Sequence, residues 1–199
     1  MTQNRAAAES HAEVFRSLAS KQWTSLSDEA KLTRLRATFH HATIREMRAA
    51  LPSIKLGVGI MAVCAIDFLS ALAAGEKSTR TTFRRFCDMY LEAVNPLYDG
   101  ETLYATRCGL VHNYSIQAHH ALTWDQGVDN HLREVTVHGK PGRALSLERF
   151  IDDIETAGEA MFVQAAKDPI LRGRILNWAN TAPPISFRTT SSSDDRILK

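Results

Sequence analysis

Residues Ile54–Ala74 read IKLGVGIMAVCAIDFLSALAA. As a helix, at about 1.5 Å per residue, this stretch is long enough to cross a bilayer. Asp67 lies well inside it, however, and a carboxylate at that depth is costly in lipid. No second span and no flanking aromatic belt accompanies it. The stretch is therefore expected to be the central, buried helix of a mainly α fold, with no membrane partner. Gly75 follows directly, a residue suited to the left-handed position that closes a helix. A bare carboxylate is as unwelcome in a protein core as in lipid, so Asp67 calls for a cation.

Working outward toward the N-terminus, Ser27 followed by Asp28 and Glu29 reads as an N-cap with acidic residues in the first turn. The helix it opens carries Leu32, Leu35, Phe39, Ile44 and Met47 and stops near Pro52. Before it, a first helix is expected from about Ser10 to Leu18, after a loose tail over residues 1–10. Beyond Gly75, Ser78 and Thr79 can cap a helix bearing Phe83, Phe86, Met89, Tyr90 and Val94, closed by Asn95-Pro96. After Asp99-Gly100 comes a helix over Leu103–Tyr114.

The pattern then changes. Ala118–Trp124, Leu132–Val137 and Arg143–Leu147 are short and rich in β-branched or aromatic residues. They are separated by Gln126-Gly127 and by His138-Gly139-Lys140-Pro141-Gly142. The second and third are expected to form a hairpin, with the first beside them. Ser146 or Leu147 opens a long helix through Phe150, Ile154, Met161 and Val163. Asp168-Pro169 starts a shorter one ending near Ala179. This gives one helical domain over 1–180, a β insertion at about 118–147, and a disordered polar tail over 181–199.

Composition sets the outer bounds. With 44% hydrophobic and 23% charged residues, the chain has enough apolar material for a core and is not globally disordered. A net charge of +2 neither demands nor excludes nucleic acid, because phosphates respond to clustered cations and not to a total. Cys64, Cys87 and Cys108 are far apart and odd in number, which argues against a zinc knuckle or disulfide framework and for a reducing cytoplasm. The opening MTQNRAAAESHAEVF has no apolar run before a cleavage site, so no secretory signal is expected. Dinucleotide, Walker and GxSxG motifs are missing.

The chemically pointed segment is Arg107-Cys108-Gly109-Leu110-Val111-His112. On a helical wheel Leu103, Leu110, Val111 and Tyr114 share one side, and Arg107 falls in its middle. A guanidinium keeps its proton, so Arg107 must either pair with a buried carboxylate, Asp67 being the candidate, or face a groove and bind an anion. His112, five residues on, points about 140° away around the helix. The two could still meet at one ligand, since Arg is long and Gly109 lies between them. They could also meet across a two-fold axis.

This Arg-x4-His segment, set in LYATRCGLVHNYS after a long apolar helix, resembles the Arg-x4–6-His signature of the HEPN superfamily. The similarity covers about Ile54–Tyr114. It implies a helical bundle that dimerises, and for many members a metal-independent ribonuclease of toxin–antitoxin or defence systems. By that resemblance Arg107 would bind the scissile phosphate. His112 would act as general base or acid on the ribose 2′-hydroxyl or the leaving oxygen. Asp67, Cys108, Asn113 and Tyr114 would support them. Active members commonly place Asn, Asp or His directly after the Arg, where this chain has Cys108; Asn113 lies on the wrong side of His112 to replace it. The alternative is a non-catalytic interaction or regulatory module on the same fold, in which Arg107 is a structural ion-pair partner. An unrelated helical protein is the third reading.

Other constellations are plainer. Arg80, Arg84 and Arg85 share a helix face, and Arg172 and Arg174 another; each is either a solvated face or, beside a cleft, an RNA track. The pairs His40-His41 and His119-His120 point in different directions and do not chelate one metal together. No metal or cofactor is expected. The expected partners are a second copy of the chain, RNA, and an antitoxin or regulatory protein.

Overall fold

The structure is a computed structural model that describes residues 13–14, 17–18, 21–116, 120–124 and 130–181. Most of the helix expected over Ser10–Leu18, Ala118, His119 and the tail from residue 182 lie outside the described residues. What is described is mainly helical, with a small three-stranded sheet.

Local chemistry starts and stops the helices. The Ser27 side chain accepts from the Ala30 N–H, and Asp28 and Glu29 follow in the first turn of α1 (Asp28–Thr38). The helix continues through a π-helical segment (Phe39–Ile44) into α2 (Arg45–Ala50). Bonding from i to i+5 brings residues five apart to one side, and Phe39 and Ile44 are both fully buried. The same device recurs between α4 (Arg80–Phe86) and α5 (Glu92–Val94), where the π-helical segment Cys87–Leu91 buries Phe86 together with Leu91. Thr79 caps α4 through a reciprocal box with Thr82.

The apolar stretch forms α3 (Lys55–Ala74), half of whose twenty residues are buried. It meets α2, α4, α6 (Gly100–Asn113), α7 (Leu147–Lys167) and α8 (Pro169–Thr181), and so is the axis of the bundle. By length and apolarity alone α3 could cross a membrane, yet more than half of it is covered by the other helices. Gly75 ends it at φ +76°, where a Cβ would stand 3.0 Å from the backbone of Arg174. Helix α7 is strongly amphipathic and buries Phe150, Ile151, Ile154, Met161 and Phe162. Its Gly158 admits the Phe39 ring, which a Cβ there would approach to 2.6 Å.

The sheet joins β1 (His120–Thr123), β2 (Glu134–Val137) and β3 (Lys140–Ser146) in the order β1-β3-β2. The expected hairpin is present, but its connection is two residues long instead of five. His138 (φ +49°) and Gly139 (φ +76°) make the turn, and both have the positive φ that matches the twist of a hairpin. Lys140, Pro141 and Gly142 belong to β3. Pro141 is tolerated there because β1 pairs only with Arg143–Ser146, leaving the proline end of β3 an edge on that side. The first strand does lie beside the hairpin, parallel to β3.

Three residues expected on inward faces are exposed instead. Met89 and Val163 are each more than two-fifths exposed, and Tyr114 is 73% exposed. Met89 falls in a π-helical segment, where a 3.6-residue wheel misplaces it. Tyr114 lies past the end of α6.

Between α1/α2 and α7 runs a charged seam. His40 is sandwiched, with Nδ1 3.0 Å from Glu155 and Nε2 3.0 Å from Glu159. Arg36 pairs with Glu159, and Arg48 bridges Glu155 and Asp152. Burial works against the imidazolium, but hydrogen bonds and charge from Glu155 and Glu159 outweigh it and raise the His40 pKa. Burial likewise favours the acid forms of both glutamates, yet His40, with Arg48 for one and Arg36 for the other, lowers them. A raised histidine contributes stability below about pH 6.5, lost as pH climbs through its folded value. Lowered glutamates contribute above about pH 4.3, lost as pH falls. The stability gap between wild type and His40→Gln is therefore expected to be greatest between about pH 4.5 and 6.5. Urea unfolding at pH 5.5 and pH 9 measures it, and an equal gap at both would contradict the sandwich.

Candidate functional site

Helices α3 and α6 pack side by side, and the charged residues of their apolar stretches meet. Arg107 Nε donates to Asp67 Oδ2 at 2.7 Å. The other carboxylate oxygen, Oδ1, accepts from the Ser78 hydroxyl at 2.7 Å, and the Ser70 hydroxyl lies 2.9 Å from that of Ser78. Both oxygens of Asp67 are thus engaged, and the two side chains are 18% (Asp67) and 23% (Arg107) exposed. Burial opposes the charge on Arg107, but Asp67 first and Cys108 second outweigh it, raising an already high pKa.

At its outer end the same guanidinium reaches His112. Arg107 Nη1 lies 3.3 Å from His112 Nε2, although the two residues leave the helix in different directions. Donation from a guanidinium requires Nε2 to be unprotonated. The guanidinium has five N–H donors, of which the contacts with Asp67 and His112 use two. The imidazole is exposed.

The wheel placed Arg107 at the centre of the buried face; the structure places it at the margin. Leu103, Thr106, Gly109 and Leu110 are the buried residues of α6. Thr106 tolerates that position because its hydroxyl donates to the Thr102 carbonyl at 2.9 Å and accepts from His120 Nδ1 at 2.6 Å. Cys108 is half-buried beside Arg107 and Tyr104. Cys64, one turn before Asp67, reaches the surface, yet partial desolvation by the neighbouring helices first and the Asp67 charge second push its thiol pKa up. Asn113 is exposed at the last position of α6, and Tyr114 follows in the left-handed region.

Of the three basic residues on α4, Arg80 and Arg84 both pair with Glu101 in the first turn of α6. Arg80 also lies near Tyr104 and Cys108, so it stands on the same surface as Arg107. Arg84 and Arg85 border a shallow depression of about 520 Å³ with Thr81, Asp88 and Met89. Among the described residues no set of three or more His, Cys, Asp or Glu side chains is arranged to hold a metal ion.

A second polar cluster was not anticipated from the sequence. Tyr98 donates to Asp153 Oδ2 at 2.9 Å and lies 2.8 Å from His131 Nε2; Arg149 Nε reaches Asp153 Oδ1 at 3.0 Å. These groups come from three separated segments, and no spacing in the chain announces them.

No protein-family model, no curated protein and no solved structure matches the chain.

The Asp67–Arg107 pair predicts a measurable stability term. Asp67→Asn keeps the shape but leaves Arg107 half-buried without its counter-charge. Full burial of such an orphan costs about 3–5 kcal/mol, and the partial exposure here reduces the expected loss to about 2 kcal/mol. A double-mutant cycle with Arg107→Gln, read by urea unfolding, should return a coupling of at least about 1 kcal/mol. Additive losses would show that the pair contributes nothing.

Proposed function

We propose that the Arg107–His112 edge of α6 is an RNA-directed site in a HEPN-like, cytoplasmic protein acting as a homodimer, and that it cleaves single-stranded RNA without a metal. The observation that carries this reading is the fixed guanidinium: Asp67 holds Nε, and the opposite edge meets an exposed imidazole at 3.3 Å. An anion-binding group and a proton-transfer group thereby converge on one point of the surface.

In this reading Arg107 binds the non-bridging oxygens of a phosphate and stabilises the charge that develops on them. The Nε2 lone pair of His112, freed when the Arg107 Nη1–H turns to the phosphate, takes the proton of the ribose 2′-hydroxyl. The 2′-oxygen bonds to phosphorus, the bond to the 5′-oxygen breaks, and the leaving oxygen is protonated. In a homodimer two such edges face one cleft, and the second His112, present as imidazolium and turned from its own Arg107, supplies that proton. The products are a 2′,3′-cyclic phosphate and a 5′-hydroxyl. A toxin–antitoxin or defence role, with an antitoxin or regulatory partner, accords with such an activity.

A second reading has its own support. The charge of Arg107 is already matched by Asp67, and Cys108 stands where active HEPN proteins commonly carry a polar residue. Both favour a non-catalytic regulatory module. Incubation of the purified protein with single-stranded RNA and with DNA of the same sequence, in EDTA, separates the two. RNA cut to cyclic-phosphate ends with DNA intact supports the nuclease. RNA left whole across several sequences supports the module.

A further inference from the structure

The end of α6 departs from the usual chemistry of a helix terminus. Tyr114 adopts φ +49°, ψ +30°, a left-handed conformation that costs a residue with a Cβ roughly 1–2 kcal/mol and that helices normally give to glycine. The residue is 73% exposed, so burial does not offset that strain. A strained, solvent-facing aromatic two residues beyond His112 calls for a use.

A second exposed ring reaches the same level of the molecule. His120 of β1 bonds Thr106 of α6. Two residues later Leu122 and, one helical turn further along, Leu110 meet at Gly59 of α3. The strand advances about 6.6 Å over those two residues and the helix about 6 Å over its four, so strand and helix climb together. Trp124 comes two residues after Leu122, just past β1, and Tyr114 four residues after Leu110, just past α6, so each follows the Gly59 contact in the direction its own element runs. On α3, which runs the opposite way, one turn back from Gly59 is Lys55. Its ammonium stands 5.4 Å from the centroid of the Trp124 ring, which is 37% exposed. Lys55 and Trp124 are therefore in contact beyond Gly59, on the side toward which α6 runs out through His112 to Tyr114.

Two exposed aromatic residues, one of them with Lys55 against its ring, suit a chain of flat bases linked by phosphates. We infer that Tyr114 and Trp124 are stacking platforms for unpaired bases of a single RNA strand whose backbone crosses Arg107 and Lys55. This rests on the RNA-directed reading of the Arg107–His112 edge. It adds that the ligand is unpaired, because duplex bases are already stacked on one another, and that recognition tolerates sequence, because every base has a π face.

Fluorescence anisotropy of a labelled twelve-nucleotide single-stranded RNA, with the full chain and at low salt, tests it. Tyr114→Gly is the informative variant: glycine suits the left-handed position, so the fold is kept or strengthened while the ring is lost. Tyr114→Gly and Trp124→Ala are each expected to weaken binding by on the order of tenfold or more, with Tyr114→Phe near wild type. Matched melting temperatures exclude unfolding as the cause. Wild-type binding that all three variants retain would overturn the stacking assignment while leaving the RNA-directed site standing. Tighter binding of duplex than of single strands would overturn it too. Wild type binding no oligonucleotide, including a chain that adheres only to anionic vesicles, would remove both.

Discussion

His112→Ala is expected to cleave single-stranded RNA roughly 10²–10⁴-fold more slowly than wild type, the range that general acid–base groups supply. The variant isolates chemistry from folding because His112 is exposed and its contact with Arg107 lies on the outer side of the guanidinium. Arg107→Ala is a poorer probe, since it also strands Asp67 between two helices. Melting temperatures of wild type and His112→Ala should agree within a degree or two. Equal cleavage by both proteins would place the activity elsewhere. Cleavage by neither would leave the regulatory module, with Cys108 as the residue that marks it.

Asp153→Ala is expected to have the largest effect on stability. The Asp153 side chain is 2% exposed and carries three interactions, with Tyr98, His131 and Arg149. Since Tyr98 donates its proton to Asp153, His131 Nε2 acts as the donor between them, and its Nδ1 is buried with no partner among the described residues. Burial first, and the adjacent Asp153 charge second, push the Tyr98 hydroxyl far above the usual tyrosine range, so it remains a donor. Arg149 is 44% exposed and can turn to water when the carboxylate goes; Tyr98 and His131 cannot. Losing two buried hydrogen bonds to a charged acceptor corresponds to about 3 kcal/mol. For a chain of this size that is a fall in melting temperature of roughly 6–12 °C. Asp153→Asn, which still accepts from Tyr98, should lose less. A fall below about 2 °C for Asp153→Ala would show that the network is not a structural anchor.

The parts of this fold that were legible in the sequence are those decided by local chemistry or by unavoidable pairing. Ser27, Gly75 and Thr79 terminate helices through their own neighbours, so their roles could be read without tertiary information. Asp67 and Arg107 could be matched because each is a charge in an otherwise apolar stretch and each needs the other. The direct Arg107–His112 contact was not legible. A wheel follows Cβ directions, whereas a guanidinium reaches several bonds beyond its Cβ and can cross the angle that separates them. The π-helical segments have no residue signature, and Met89 was misassigned for that reason. Turn chemistry identified the β2–β3 hairpin and strand pattern put β1 beside it, but the parallel direction of β1 and its choice of β3 came only from the fold. Tyr98, His131 and Asp153 are brought together from two connecting segments and α7, with nothing local in common.

RNA seated on the Arg107–His112 edge would be sensed by the His112 ring, which histidine side-chain NMR observes. The chain has eight histidines, so the ring signals can be assigned by single substitutions. The titrant is a single-stranded 2′-O-methyl oligonucleotide, which presents phosphates and bases but no nucleophile and therefore stays intact. The His112 ring signals are expected to shift saturably with the oligonucleotide, while those of His40, enclosed between Glu155 and Glu159, stay in place. Saturable binding that leaves the His112 signals unmoved would contradict an RNA site on that edge.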